Sequence, residues 1–127
     1  MKLFTQPIDA DMLKEFGVPL DSADAFYFYN TYDVKDEGEL NLIKDRKYSD
    51  LEELSSNDDS IRIVPAWSLG QLIRIIKECG IGDWPKQDIM NSILKEDSHM
   101  MVPIAVMGIT QLRAKNLIDF SKFKMED

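Results

Sequence analysis

Cys79 and His99 are the single cysteine and the single histidine of this 127-residue sequence, and they alone suggest nucleophilic or metal chemistry. A cysteine nucleophile needs a base to generate its thiolate, and distance along the chain does not prevent such a pair from meeting in a fold. Against that reading, Cys79 follows Leu72 by seven residues and Ile76 by three, on one apolar helical stripe. A thiol there behaves as a small, inert hydrophobe. One cysteine and one histidine also fall short of any usual zinc ligand set. The acid pairs Glu52–Glu53 and Asp58–Asp59 lie in the serine-rich stretch SDLEELSSNDDS. General acid–base work needs carboxyls fixed across a cleft with separated pKa values, whereas neighbours in a polar stretch stay solvated and ionised. The spacing of a calcium hand is missing, and GIGDW at 80–84 has too few glycines for a phosphate loop. The residues therefore give no catalytic, cofactor-binding or metal-ligating set, and no cofactor is expected.

Charge narrows the partners. Of 23 acids and 15 bases, ten acids and four bases fall between Asp33 and Ser60, so most of the net charge of −8 belongs to one region. Such a field repels phosphate backbones and favours a basic protein surface. Tyr27 and Tyr29, which alternation places on one strand face, could stack nucleic-acid bases only with a basic surround. Acidic residues follow them instead, so nucleic acid is not expected as a partner. The longest nearly apolar stretch, Met100–Ile109, is too short to span a bilayer. With no secretory pattern at the start and one cysteine, the reading is of a cytoplasmic protein.

The elements that must position these groups follow from periodicity. A chain of this length with 44% hydrophobic residues can build its own core as one domain. Ala10–Phe16 reads as a helix capped by Asp9, with Ile8 and Leu13 as a hydrophobic staple and Gly17 as its stop. AFYFYNTY (25–32), a segment at 40–47 and Ile61–Val64 read as three antiparallel strands, with Pro65 ending the last. Residues 49–60 read as a mobile acidic loop, with room for one helical turn at Leu51–Leu54. Leu69, Leu72, Ile73 and Ile76 then make an amphipathic helix capped by Ser68 and stopped by Gly80. Further helices are expected over 86–95 and 103–115, with Pro103 opening the last, although 81–102 reads as either helix or strand and Ile93–Val106 could hide a strand instead; 121–127 should fray. The fold class is thus α+β, a small three-stranded antiparallel sheet packed against three to four helices.

SADAFYF (22–28), IVPAWSLGQLI (63–73) and VPIAVMGITQLRAKNLI (102–118) resemble a recurrent pattern in small proteins of gut Bacteroidetes and their phages and mobile elements. The resemblance implies a small intracellular protein and no catalytic residues to transfer. Trp67 and Trp84 flank the best helix; either one, if exposed, becomes an anchor for a partner. The expectation is a non-enzymatic protein–protein interaction module using Glu52, Glu53, Asp58, Asp59, Trp67 and Trp84. The alternatives are a small enzyme using Cys79 and His99 or the loop carboxylates, and a small-molecule-binding module.

Overall fold

The computed structural model describes residues 3–33, 35, 37–44 and 46–123. Its order is α1 (Pro7–Glu15), a 3-10 turn at Leu20–Ser22, β1 (Ala25–Asn30), β2 (Glu39–Leu42), α2 (Tyr48–Ser56), β3 (Ile61–Ala66), α3 (Leu69–Cys79), α4 (Asp83–Leu94), α5 (Ser98–Ala114) and a final 3-10 turn at Phe120–Lys122. The three strands form an antiparallel sheet in the order β2-β1-β3. The α+β class holds, and the helix count rises to five among the described residues.

β1 is the central strand, and its register explains a proline. Thr31 N–H donates to the Ser60 carbonyl on one side, and Ile43 N–H donates to the Asp24 carbonyl on the other. Backbone groups alternate direction along a strand, so Tyr27 and Tyr29 bond toward β3 while Phe26 and Phe28 bond toward β2. Pro65 faces Phe26, so its missing N–H points away from β1. Pro65 therefore sits inside β3 and does not end it; this edge position is one a proline tolerates.

The acidic stretch 49–60 is a helix for most of its length, contrary to expectation. Its local signal is weak, and distant groups nucleate it. Asp50 accepts from Lys47 N–H at 3.2 Å, and Asp21 from the 3-10 turn accepts from Ser49 N–H at 2.9 Å. Tyr48 is buried in the core as the anchor. Three other helices, α1, α4 and α5, start earlier than expected. In α1, Pro7 occupies the first turn and Asp9 reaches back to Gln6 N–H at 2.9 Å, so Asp9 is the third helical residue and no cap. In α5, Pro103 lies inside the helix and forgoes one rung near its start. The buried residues Val102, Ala105, Val106 and Ile109 hold that helix in the core, where it packs on α4, α3 and α1. Residues 121–123 do not fray: Asp119 caps their turn through Ser121 N–H, and Phe123 packs on the core under Arg74, 4.5 Å from the ring. Residues 124–127 of the expected frayed tail lie outside the described residues.

Gly80 ends α3 for a different reason than a left-handed cap. Its φ is −64°, in the extended region, and it bridges Ile118. A β-carbon there would fall 2.6 Å from both the Ile76 carbonyl oxygen and Lys86 Cγ, so close approach and not handedness requires glycine.

Candidate functional site

Two indoles flank α3. Trp67 is the hub of the strand-to-helix junction and is fully buried. Its backbone pairs with Thr5 in both directions, at 2.9 Å through the Thr5 N–H and 3.0 Å through the Thr5 Oγ1. Its indole N–H donates to Ser22 Oγ at 2.9 Å. Next to it, Asp24 accepts from Ser68 N–H at 2.8 Å and from the Ser68 hydroxyl, and Gln71 donates to the Ser22 carbonyl at 2.7 Å. The blocks SADAFYF and IVPAWSLGQLI thus interlock residue by residue. Every described buried side-chain polar atom has a partner. Trp67 is structural, and a partner cannot reach it; its place among the expected contact residues is corrected.

Trp84 is the opposite case, 81% exposed at the start of α4. Gly82, with φ +83°, turns the chain into that helix, and Pro85 sits in its first turn. The link before it is pinned by Ile81 N–H to the Leu117 carbonyl at 2.7 Å and by Asp119 N–H to the Cys79 carbonyl at 2.8 Å. α4 lies on α5, where Gly108 leaves no room for a β-carbon against Ile89 Cγ2, at 2.5 Å. The result is a cleft of about 160 Å³ with Ile89, Leu112 and Leu117 among its lining. Trp84, Pro85, Asp88, Gln111 and Lys115 complete it, so an apolar wall, a carboxylate and an ammonium meet at one opening.

The expected acids occupy another wall. Glu52 and Glu53 are exposed on α2, which packs on β3 and the first 3-10 turn, whereas α4 packs on α5 and α3. Asp58 is engaged with its own turn, accepting from Ser60 N–H at 2.9 Å and Ser60 Oγ at 2.5 Å. Those bonds hold its carboxyl below the ordinary range. Asp59 is exposed, and its carbonyl accepts from Thr31 Oγ1 at 2.5 Å. The site residues expected from sequence therefore divide into an acidic helix, an exposed indole and a core indole.

Cys79 and His99 are not gathered into one site. The thiol is fully buried, and burial, with help from the Glu78 and Asp119 carboxylates, pushes its pKa up to about 11. A thiol so disposed carries almost no thiolate near neutrality. His99 is exposed and lines a cavity of about 450 Å³ between the starts of α1 and α5, to which Cys79 does not contribute. Phe4, Ile8, Val102 and Pro103 supply its apolar surface, and Gln6 and Asp9 its polar one. The tyrosines offer no free stacking platform: Tyr27 hydroxyl donates to the Thr5 carbonyl at 2.7 Å, and Arg62 covers the Tyr29 ring at 5.4 Å. Among the described residues no group of three or more His, Cys, Asp or Glu could hold a metal ion. Likewise, no helix is long and apolar enough to cross a membrane.

Sequence reading missed the cleft floor and the cavity. Leu117 reaches the cleft only because residues 80 and 118 pair across the fold, and no local pattern announces that bridge. Comparison with family models, with curated proteins and with solved structures finds no match for this chain.

Proposed function

We propose that this chain is a non-enzymatic protein-binding module that captures a short basic segment of another protein at the Trp84 cleft. The observation that carries the reading is the exposure of Trp84 in a chain whose other tryptophan is completely enclosed. Exposed indoles beside a shallow apolar depression are the side chains that dominate binding energy when covered. Asp88, one turn after Trp84, offers a carboxylate to a lysine or arginine whose alkyl stem or guanidinium lies on the indole face. The acids Glu52, Glu53, Asp58 and Asp59 lie on a separate wall, where they attract a basic partner at longer range and raise its association rate. The setting we propose is the cytoplasm, in keeping with one buried, unpaired cysteine.

The test uses an array of short peptides in which lysine or arginine alternates with apolar residues. Wild-type protein should retain a subset of them, and Trp84→Ala should lose that subset by about 30-fold or more in affinity, the scale of a hot spot. The triple variant Glu52→Lys, Glu53→Lys, Asp59→Lys should slow association and weaken its salt dependence while leaving dissociation nearly unchanged. Retention of the same peptides by Trp84→Ala would remove the cleft from the account.

A second reading, binding of a small molecule, is favoured by the cavity beside His99. Its volume of about 450 Å³ lies within the range of ligand pockets, and it mixes apolar walls with an imidazole and an amide. A thermal-shift screen in which hits vanish with His99→Ala and persist with Trp84→Ala would favour it over the first.

A further inference from the structure

The two edges of the sheet are finished differently. Along the outer edge of β3, Pro65 has no N–H to offer, and the Ile63 carbonyl accepts from Tyr48 hydroxyl at 3.4 Å. Beyond it, the N-terminal segment pairs with Trp67 and Leu69, whose N–H donates to the Leu3 carbonyl at 2.7 Å. Proline, a covering side chain and a covering segment are the usual ways of closing an edge against other strands.

Among the described residues, no strand, proline or segment closes the free side of β2. The Ile43–Asp24 bond fixes the phase of the ladder, so Glu39, Asn41 and Ile43 turn their backbone groups toward β1. The N–H and carbonyl groups of Leu40 and Leu42 then point outward, and among the described residues no strand pairs with them. The two leucine side chains share one face and are 39% and 56% exposed. Glu37 and Glu39 stand exposed on one side of the pair, and Lys44 and Arg46 on the other.

We propose that a second copy of this chain adds to this edge, β2 antiparallel to β2 about a two-fold axis through Asn41, so that two three-stranded sheets become one sheet of six. The self-complementarity of the strand selects this occupant. In antiparallel pairing the outward-bonding residues must face one another, and centring on Asn41 sets Leu40 against Leu42 of the second copy, twice. The same operation lays the acidic end of each β2 beside the basic end of the other, again twice. An isologous contact of this kind closes after two copies and leaves no free edge on β2. The contact is small, so association in the micromolar range is expected.

Sedimentation of the wild-type chain over a concentration series should show conversion from the 14.6 kDa monomer to a species of twice that mass. Leu42→Arg should remain monomeric throughout. The pairs Glu37→Lys/Glu39→Lys and Lys44→Glu/Arg46→Glu should each be monomeric alone and should dimerise when mixed, because only the mixture restores opposite charge at the strand ends. Register is read by cysteine. Asn41 faces its own copy in a non-hydrogen-bonded pair with Cα atoms about 4.5 Å apart, a spacing that a disulfide spans. Asn41→Cys should therefore form an intermolecular disulfide under mild oxidation, and Glu39→Cys, about 13 Å from its copy by strand rise, should not. A wild-type chain that stays monomeric into the high micromolar range overturns the proposal. So does a dimer indifferent to Leu42→Arg and to both charge reversals, or one that cross-links equally through Glu39→Cys.

Discussion

The two tryptophans bracket the same helix, yet one is fully buried with its indole N–H bonded and the other is nearly bare. Trp67 is held by Thr5 and Ser22 and packed among the apolar residues of α3 and α5. Trp84 stands over a cleft that its own ring does not fill. The difference teaches where this chain applies its aromatic surface. At the junction, burial of the indole organises sheet and helix around one point; at the cleft, a comparable area is left for something else to cover. Each contrast can be broken by substitution.

Trp67→Ala should give the largest effect, a loss of about 3–5 kcal/mol from the emptied core site. Loss of the bond that Ser22 Oγ accepts from the indole adds to it, although the hydroxyl keeps its bond to the Pro19 carbonyl. Trp84→Ala should stay within about 0.5 kcal/mol, as a surface change does. Denaturant unfolding of both variants measures the pair side by side. Gly108→Val comes next, because its β-carbon must displace Ile89, which also lines the cleft. Overpacking of this kind costs about 1–3 kcal/mol, and the same variant should blunt peptide capture although it never touches a peptide. Ser68→Ala removes the cap of α3 and one partner of Asp24. A loss of about 1 kcal/mol is expected from the cap, with no effect at the cleft.

A separate effect is read in alkali. The Cys79 thiol ionises near its ordinary 9.0 when unfolded and near 11 when folded. A raised pKa means that the folded state binds the proton more tightly, so this contribution is complete below about pH 9 and fades as pH rises toward 11. Tyr27 and Tyr48 are raised by burial too and act in the same direction at higher pH. Cys79→Val should flatten the first part of that decline in a stability-versus-pH series. In the native protein the same thiol should resist labelling by a thiol reagent until unfolding exposes it.

Much of the fold could be read in advance where local and long-range signals agree. Ser68 caps α3 as expected, and Leu72 and Ile76 of its stripe are buried while Leu69 and Ile73 are half-buried; in β1 only Ala25 is buried, and Tyr27 and Tyr29 pack on the core along with Phe26. Reading failed where distant groups decide. α2 forms because Asp21 and buried Tyr48 stabilise a polar, serine-rich segment that has little helical drive of its own. Pro65 looked like a terminus because its ladder phase is set by Thr31 and Ser60 on other segments. Pro103 looked like a helix start because the apolar contacts that carry α5 through it are tertiary. At the candidate site, the exposed acids and the choice between two tryptophans depended on burial, which the sequence poses as a condition without resolving it. The floor of the cleft depends on the pairing of residues 80 and 118, which has no local signature.

The account rests on Trp84 being dispensable for folding and indispensable for recognition. One paired measurement on Trp84→Ala decides it: the denaturation midpoint, and binding to basic peptides retained by the wild-type protein. An unchanged midpoint with binding lost is the expected result. A lowered midpoint, or binding that survives the substitution, would contradict it.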